Sequence, residues 1–199
     1  FELPPRNDRM SRVFSYLLLT RGIDKDVLYE FVRNKMIYES ADYHNAVFVG
    51  YDSNGKPRHA HKRGTVTNNP YKGNVAGSQP QYSFHWHGTS NKIFLFEAPI
   101  DMLSYISMHK DNWKSYSYAA SCSVSDRVLF QCLKDNSNIK NVFLCFDNDE
   151  AGQTANKRIA DKLNTMNIQN KILIPKHKDW NEDLKFAEEG DEKLCRQVL

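Results

Sequence analysis

Val142-Phe143-Leu144-Cys145-Phe146-Asp147-Asn148-Asp149-Glu150-Ala151-Gly152 is an apolar run that ends abruptly on carboxylates and opens into a helical pattern. Five apolar residues without polar alternation are the signature of a strand buried on both faces. From about Asp149 to Met166 the period changes: Ala155, Ile159, Leu163 and Met166 share one helical face, while Lys157, Arg158 and Lys162 point elsewhere. The same strand-then-helix pattern stands upstream, where Ile93-Phe94-Leu95-Phe96 precedes a helix from Pro99 to His109 with proline in its first turn. Tyr116 to Ala120 and Lys171 to Pro175 read as further strands, and Asp126 to Leu133 as a helix. Strands alternating with helices predict an α/β fold, a parallel sheet flanked by helices.

Three of these strands meet acids at their carboxyl ends. Ile93 to Phe96 runs into Glu97, Val142 to Phe146 into Asp147 and Asp149, and Ile172-Leu173-Ile174-Pro175 leads through Lys176-His177-Lys178 to Asp179. In an open parallel sheet, ligands sit in the crevice outside those ends, so neighbouring strands would bring the acids together. Clustered carboxylates repel unless a cation intervenes, and hard oxygen donors suit Mg²⁺ or Mn²⁺. Each acid also has a local use. Asp147, Asn148 or Asp149 can cap the following helix, Asp179 and Glu182 have capping-box spacing, and Asp101 in a first helical turn complements the helix dipole. Glu97, directly after a strand and before a proline-started helix, is a poor cap.

Residues 1–90 read differently. Arg9 to Thr20 and Asp24 to Arg33 are helical, Asn45 to Tyr51 is a strand, Asp52-Ser53-Asn54-Gly55 is a hairpin turn, and Pro57 to Thr65 is the returning strand. Thr67 to Gln81, rich in Asn, Pro, Gly and Ser, is expected to be a mobile loop. A boundary near 82–91 separates an amino-terminal α+β subdomain, 1–90, from an α/β domain, 91–199. The first holds 12 Lys and Arg against 8 Asp and Glu, the second 15 against 16. The basic excess makes the first part the candidate for polyanion contact. Lys56, Arg58, Lys62 and Arg63 cluster on the hairpin with Lys72 beyond, and Tyr71 is placed to stack on bases. His59 with His61, and His85 with His87, each share a strand face; zinc would need a third ligand, and polar strand faces account for both pairs. Trp86 and Trp180 are expected to pack, Trp180 close enough to Asp179 to shape the site.

Composition excludes several classes. With 199 residues, 40% of them hydrophobic, the chain supports a core without disulfide or zinc staples. No apolar run approaches the roughly 18 residues that span a bilayer, and the start has no secretion pattern, so a cytoplasmic location is expected. Cys122, Cys132, Cys145 and Cys195 form no Cys-x-x-Cys pair and read as reduced thiols. The first residue is Phe1 rather than methionine, from which a longer, trimmed polypeptide is expected.

Glu97-Ala98-Pro99-Ile100-Asp101, followed about fifty residues later by Asp147-Asn148-Asp149-Glu150-Ala151-Gly152, resembles the Toprim domain of primases, topoisomerases and some nucleases. Residues 92–183 fit it, and they resemble the bacterial primase catalytic core in particular. Tyr16-Leu17 with Arg21-Gly22-Ile23, and Asp52 to Gly55 leading to Arg63-Gly64, resemble the primase core's amino-terminal subdomain. Leu28-Tyr29-Glu30, Asn45 to Gly50, Arg63-Gly64-Thr65 and Lys178-Asp179-Trp180-Asn181-Glu182 look like uncharacterised Toprim proteins of plasmids and conjugative elements. The resemblance implies a Rossmann-like Toprim sheet and primer synthesis on a single-stranded DNA template from nucleoside triphosphates. Mg²⁺ or Mn²⁺ would be held by Glu97, Asp101, Asp147, Asp149 and Asp179. Glu97, Asp147 and Asp149 would be catalytic, and Arg58, Lys62, Arg63, Lys72 and Lys178 would contact nucleotide or template. It implies a helicase or relaxase partner and a zinc-binding segment upstream. The same acids could activate water to nick DNA, or hold metal in a non-catalytic binding module. A topoisomerase would need a nucleophilic tyrosine on a separate domain. Two positions depart from the primase pattern: Asn181 stands where a second aspartate is usual, and a common glycine is replaced near Ser121-Cys122.

Overall fold

The computed structural model describes residues 1–66 and 71–187, whose strands form two sheets. The first is antiparallel, in the order β1 (Ile37–Glu39), β2 (Ala46–Tyr51), β3 (Pro57–Arg63), β4 (Lys72–Asn74). The second runs β5 (His85–Trp86), β7 (Ser117–Ala120), β6 (Lys92–Phe96), β8 (Asn141–Cys145), β9 (Gln169–Ile172). It is parallel except for the antiparallel edge strand β5, which precedes residue 91. The helices are α1 (Ser11–Phe14), extended by π-helical turns over Ser15–Thr20, then α2 (Lys25–Arg33), α3 (Pro99–Met108), α4 (Arg127–Asp135) and α5 (Glu150–Thr165). Residues 180–187 are also helical.

The parallel sheet flanked by helices is the α/β fold expected from the apolar runs. On β6, Phe94 and Phe96 join a cluster with Leu103 and Ile106 of α3, while Ile93 and Leu95 join one with Leu129 of α4 and Ile159 and Leu163 of α5. Both faces are dry, which is why the strand shows no polar alternation. The first cluster continues into Leu17, Leu28, Phe31 and Phe48, so one core joins the second sheet to the helices and strands of residues 1–90.

Three elements differ from the sequence reading. Within the stretch Thr67 to Gln81, read as a mobile loop, Lys72–Asn74 forms β4, pairing Arg63 with Lys72 and His61 with Asn74; residues 67–70 lie outside the described residues. An edge strand of Lys-Gly-Asn is held by its backbone ladder and carries no apolar pattern. β9 begins at Gln169 and ends at Ile172, two to three residues before the apolar run Lys171 to Pro175, because the ladder from β8 pairs Asn141 with Gln169. β1 is too short to register as a pattern.

Glu39 on β1 organises the entry to the fold. Its carboxylate is 1% exposed and accepts from the Arg12 and Val13 backbone N–H groups at 3.0 and 3.1 Å, from Asn7 Nδ2 at 2.8 Å, and pairs with His44 Nδ1 at 2.6 Å. It thus caps α1 from a distant strand and satisfies donors that the helix cannot. Burial pushes its pKa up, but the Val13 N–H, His44 and Asn7 more than offset this and the net shift is downward. Glu39→Ala should therefore lower stability by about 3 kcal/mol at pH 7, the scale of hydrogen bonds to a charged group. The wild-type advantage should be lost as pH falls through the lowered folded pKa, which urea unfolding of both proteins across pH will measure.

Candidate active site

In the second sheet the connection from β6 through α3 to β7 and that from β8 through α5 to β9 depart in opposite directions, leaving a crevice at the carboxyl ends of β6 and β8. A cleft of about 380 Å³ opens there. Glu97 enters it from the end of β6, Asp101 from the first turn of α3, Asp147 from the end of β8, and Lys178 and Asp179 from the loop before the last helix. The facing wall comes from residues 1–90: Arg63 at the end of β3, Lys72 at the start of β4, His61, Asn74, and Arg21 just past the π-helical turns.

The loops are fixed to each other. The Asn148 N–H donates to the Lys178 carbonyl at 2.7 Å, and Asn148 Nδ2 to the Pro175 carbonyl at 3.3 Å, so the Asp147 and Asp179 segments are joined through backbone. Gly152 is required by the same geometry: a Cβ there would lie 2.3 Å from the Asp147 carbonyl oxygen. Asp149 caps α5, accepting from the Gly152 N–H at 2.8 Å, and Asp179 accepts from the Glu182 N–H at 2.8 Å. The expected caps are therefore real. Asp149 lies outside the cleft lining, in a neighbouring depression with Glu150 and Arg158, yet its charge acts on Glu97 and Asp147.

Burial and mutual repulsion raise the acids. Glu97 is pushed up by burial and by Asp149, against Lys72 and Lys178. Asp101, 6% exposed, is pushed well above the usual carboxylate range by burial and by Asp147 and Asp179. Asp147 is pushed up to about 7 by burial, Glu97, Asp179 and Asp149. Its Oδ1 is buried without a hydrogen-bond partner among the described residues. An orphaned carboxylate oxygen among acids of raised pKa is what a hard divalent cation would satisfy, so the donor set fits Mg²⁺ or Mn²⁺. Among the described residues no three His, Cys, Asp or Glu side chains are grouped closely enough to hold one metal ion together. Mg²⁺ needs only one or two carboxylates, its remaining positions going to water and substrate phosphate.

Two basic residues singled out on the hairpin do not reach the cleft. Arg58 is paired with Asp52 at 2.7 Å, and Lys62 lies over the Tyr71 ring, 5.3 Å from its centroid. Strand alternation explains this: on β3, His61 and Arg63 share the cleft face and Arg58 and Lys62 take the other. Arg21 and Asn181, by contrast, line the cleft and were not singled out as site residues. Cys122 also lines it, with φ of 55° in the stretch where the primase-like glycine is replaced; burial pushes its thiol up to about 12. Cys132 and Cys145 are free thiols, and Cys195 lies outside the described residues. His59 is buried with both ring nitrogens unpartnered among the described residues, whereas His61 on the same face of β3 pairs through Nδ1 with Asn74 Oδ1 at 2.8 Å, so the polar reading holds for His61 and not for His59. Trp180 is buried, donating its Nε1–H to the Cys145 carbonyl.

The sheet carries acids at the carboxyl ends of its parallel strands β6 and β8, and residues 94–184 match a family described as Toprim-like. Residues 15–90 match one described as a protein of unknown function (DUF3991). The chain carries a Toprim-like domain within the fold of a primase catalytic core. The primase fragment of the bacteriophage T7 primase-helicase superposes with a TM-score of 0.62 at 19% identity, covering 90% of this chain and 72% of that one. The DnaG primase catalytic domain bound to ssDNA gives 0.54 at 14% identity, covering 92% and 62%. An uncharacterized pXO2 protein of Bacillus anthracis is 26% identical over 93% of this chain, which spans 60% of that relative's length. Among the described residues no helix is long and apolar enough to cross a membrane.

Because the folded pKa of Asp147 is raised, its contribution to metal-free stability is full below its ordinary value and is lost as pH rises toward 7. Asp147→Asn should therefore be more stable than wild type at pH 8 without metal, with the difference shrinking toward pH 5. Mn²⁺ should raise the wild-type melting temperature more at pH 8 than at pH 6, where protons compete, and should raise that of the variant less. Thermal melts with and without MnCl₂ test both.

Proposed function

We propose that this protein is a DNA primase-like nucleotidyltransferase that synthesises primers on single-stranded DNA with Mg²⁺ or Mn²⁺. The observation that carries this reading is the pairing of opposite arrays across one cleft. Arg21, Arg63, Lys72 and Lys178 face Glu97, Asp101, Asp147 and Asp179, and none of the four cations enters an ion pair among the described residues. Cations without acid partners suit triphosphate and template phosphates, and acids without cation partners suit metal.

Asp147 and Asp179 would hold the divalent ion, with the charges of Asp101 and Asp149 beside them adding to its attraction. When bound, that ion supplies neutralisation of triphosphate charge and a lowered pKa for the attacking hydroxyl. Arg63 and Lys72 hold phosphate from the opposite wall, and Lys178 balances the acids beside it. Glu97, with its raised pKa, is suited to take the proton of the attacking hydroxyl or to complete the ion's ligands. Residues 1–90 then act as a template- and nucleotide-contacting domain and 91–199 as the metal-bearing domain. The likeness to a pXO2 protein supports a role in mobile-element replication or transfer in the cytoplasm. A helicase or relaxase partner and an upstream zinc-binding segment belong to the same reading.

Incubation with single-stranded template, labelled nucleoside triphosphates and Mn²⁺ should give extended products, abolished by Glu97→Gln and by Asp147→Asn with circular dichroism unchanged. Shortened template would instead identify a nuclease, retention without reaction a binding module, and equal activity in both variants would reject the assigned acids. Arg63→Ala should reduce the slope of log affinity for single-stranded DNA against log salt by about 0.7, the share of one phosphate contact on a single strand. Arg58→Ala, whose charge is already spent on Asp52, should leave the slope unchanged.

A further inference from the structure

Asn181 stands where a second acid would extend the metal site, and its surroundings give it a different task. It is 3% exposed and fully engaged: Nδ2 donates to the Arg21 carbonyl at 2.7 Å and to Ser104 Oγ at 2.9 Å, while Oδ1 accepts from Arg21 Nη1 at 3.1 Å. The partners fix the amide's orientation, since the Arg21 carbonyl can only accept and the guanidinium can only donate. Arg21 Nε donates to Tyr16 Oη at 2.9 Å, and Arg63 Nε donates to the same oxygen at 3.3 Å. The π-helical turns set this up, because the Arg21 N–H bonds to the Tyr16 carbonyl five residues back and brings the two side chains together. Arg21 is therefore gripped at Nε and Nη1 by neutral oxygens and lies over the Tyr16 ring, 5.1 Å from its centroid, without an ion pair among the described residues, while it lines the cleft.

We infer that Asn181 is a positioning residue that holds the Arg21 guanidinium uncancelled in the cleft, so that Arg21 with Arg63 forms an anion clamp for the triphosphate of the incoming nucleotide. The nucleotide part rests on the function proposed above; the bracket does not. An aspartate at 181 would accept from the guanidinium but could not donate to the Arg21 carbonyl or Ser104, and its charge would cancel that of Arg21. Restoring the acid should thus weaken nucleotide binding although it adds a possible metal ligand.

Two measurements decide this. In ¹⁵N spectra, with the Arg21 signal assigned by its loss in Arg21→Lys, the wild-type guanidinium should show slow rotation with resolved Nη resonances that coalesce in Asn181→Leu. Asn181→Ala serves if the leucine variant does not fold. Resonances already averaged in wild type would overturn the bracket without reference to any nucleotide. In titrations with ATP and Mg²⁺, Asn181→Asp should bind about tenfold more weakly than wild type, the loss of roughly one charge-assisted hydrogen bond. In an Arg21→Ala background, Asn181→Leu should cost no further affinity. Equal or tighter binding by Asn181→Asp, or full additivity of the two losses, would overturn the clamp. A wild type that does not bind ATP would overturn the nucleotide assignment while the spectra still decide the bracket.

Discussion

The rest of the structure is arranged around a crowd of like charges that the fold forces into a half-buried crevice. Burial raises Glu97, Asp101 and Asp147, and neighbouring carboxylates add to it: Asp149 acts on Glu97, Asp147, Asp179 and Glu97 act on Asp101, and Glu97, Asp179 and Asp149 act on Asp147. Such a cluster is stable only if protons, fixed cations or a bound ion offset the repulsion. Lys72 and Lys178 offset part of it and Asp147 Oδ1 is left unpartnered, so the polypeptide neutralises the crevice incompletely. Incomplete neutralisation is the condition that the proposed exchangeable ion and polyanionic substrate would meet.

The cations that answer these acids are delivered by a separate piece of architecture whose own stability depends on burying a different carboxylate. Glu39 caps α1, α1 runs into the π-helical turns, and those turns end at Arg21. β3 and β4 place Arg63 and Lys72 beside it as ladder partners. The shared hydrophobic core, from Leu17 and Phe31 to Phe96 and Trp180, holds the two walls in register. The geometry of the cleft is therefore a property of packing across the chain rather than of any one loop.

What the sequence revealed and what it concealed follow from how far apart the interacting residues lie. β6, α3, β8 and α5 were legible because a strand dry on both faces and a helix with one apolar stripe leave unmistakable periods, and the acids directly follow the strands. β4 was not, since an exposed edge strand needs no apolar residue. Arg58 and Lys62 were grouped with Arg63 by charge alone, although alternation along β3 assigns them to the other face. The Arg21–Asn181 bracket spans 160 residues and depends on a π-helical register, and neither leaves a local trace. Asn181 was visible as a departure from the primase pattern, but only its contacts turn a missing ligand into a positioning group.

Capping and metal binding were alternative readings of the acids, and the structure makes them compatible. A carboxylate has two oxygens, and a cap occupies one. Asp149 gives Oδ1 to the Gly152 N–H and Asp179 gives Oδ1 to the Glu182 N–H, which locks each side chain's rotamer while leaving a second oxygen available. Preorganisation of this kind reduces the ordering that ion binding would otherwise require. Asp147 differs from both. It caps nothing, its carbonyl accepts from Gln153 Nε2 and occupies the space a Cβ at position 152 would need, and its Oδ1 has no partner among the described residues. Asp147 and Glu97, the acids without a capping duty, stand at the ends of the neighbouring strands β8 and β6, beside the crevice that the parallel-sheet topology leaves open.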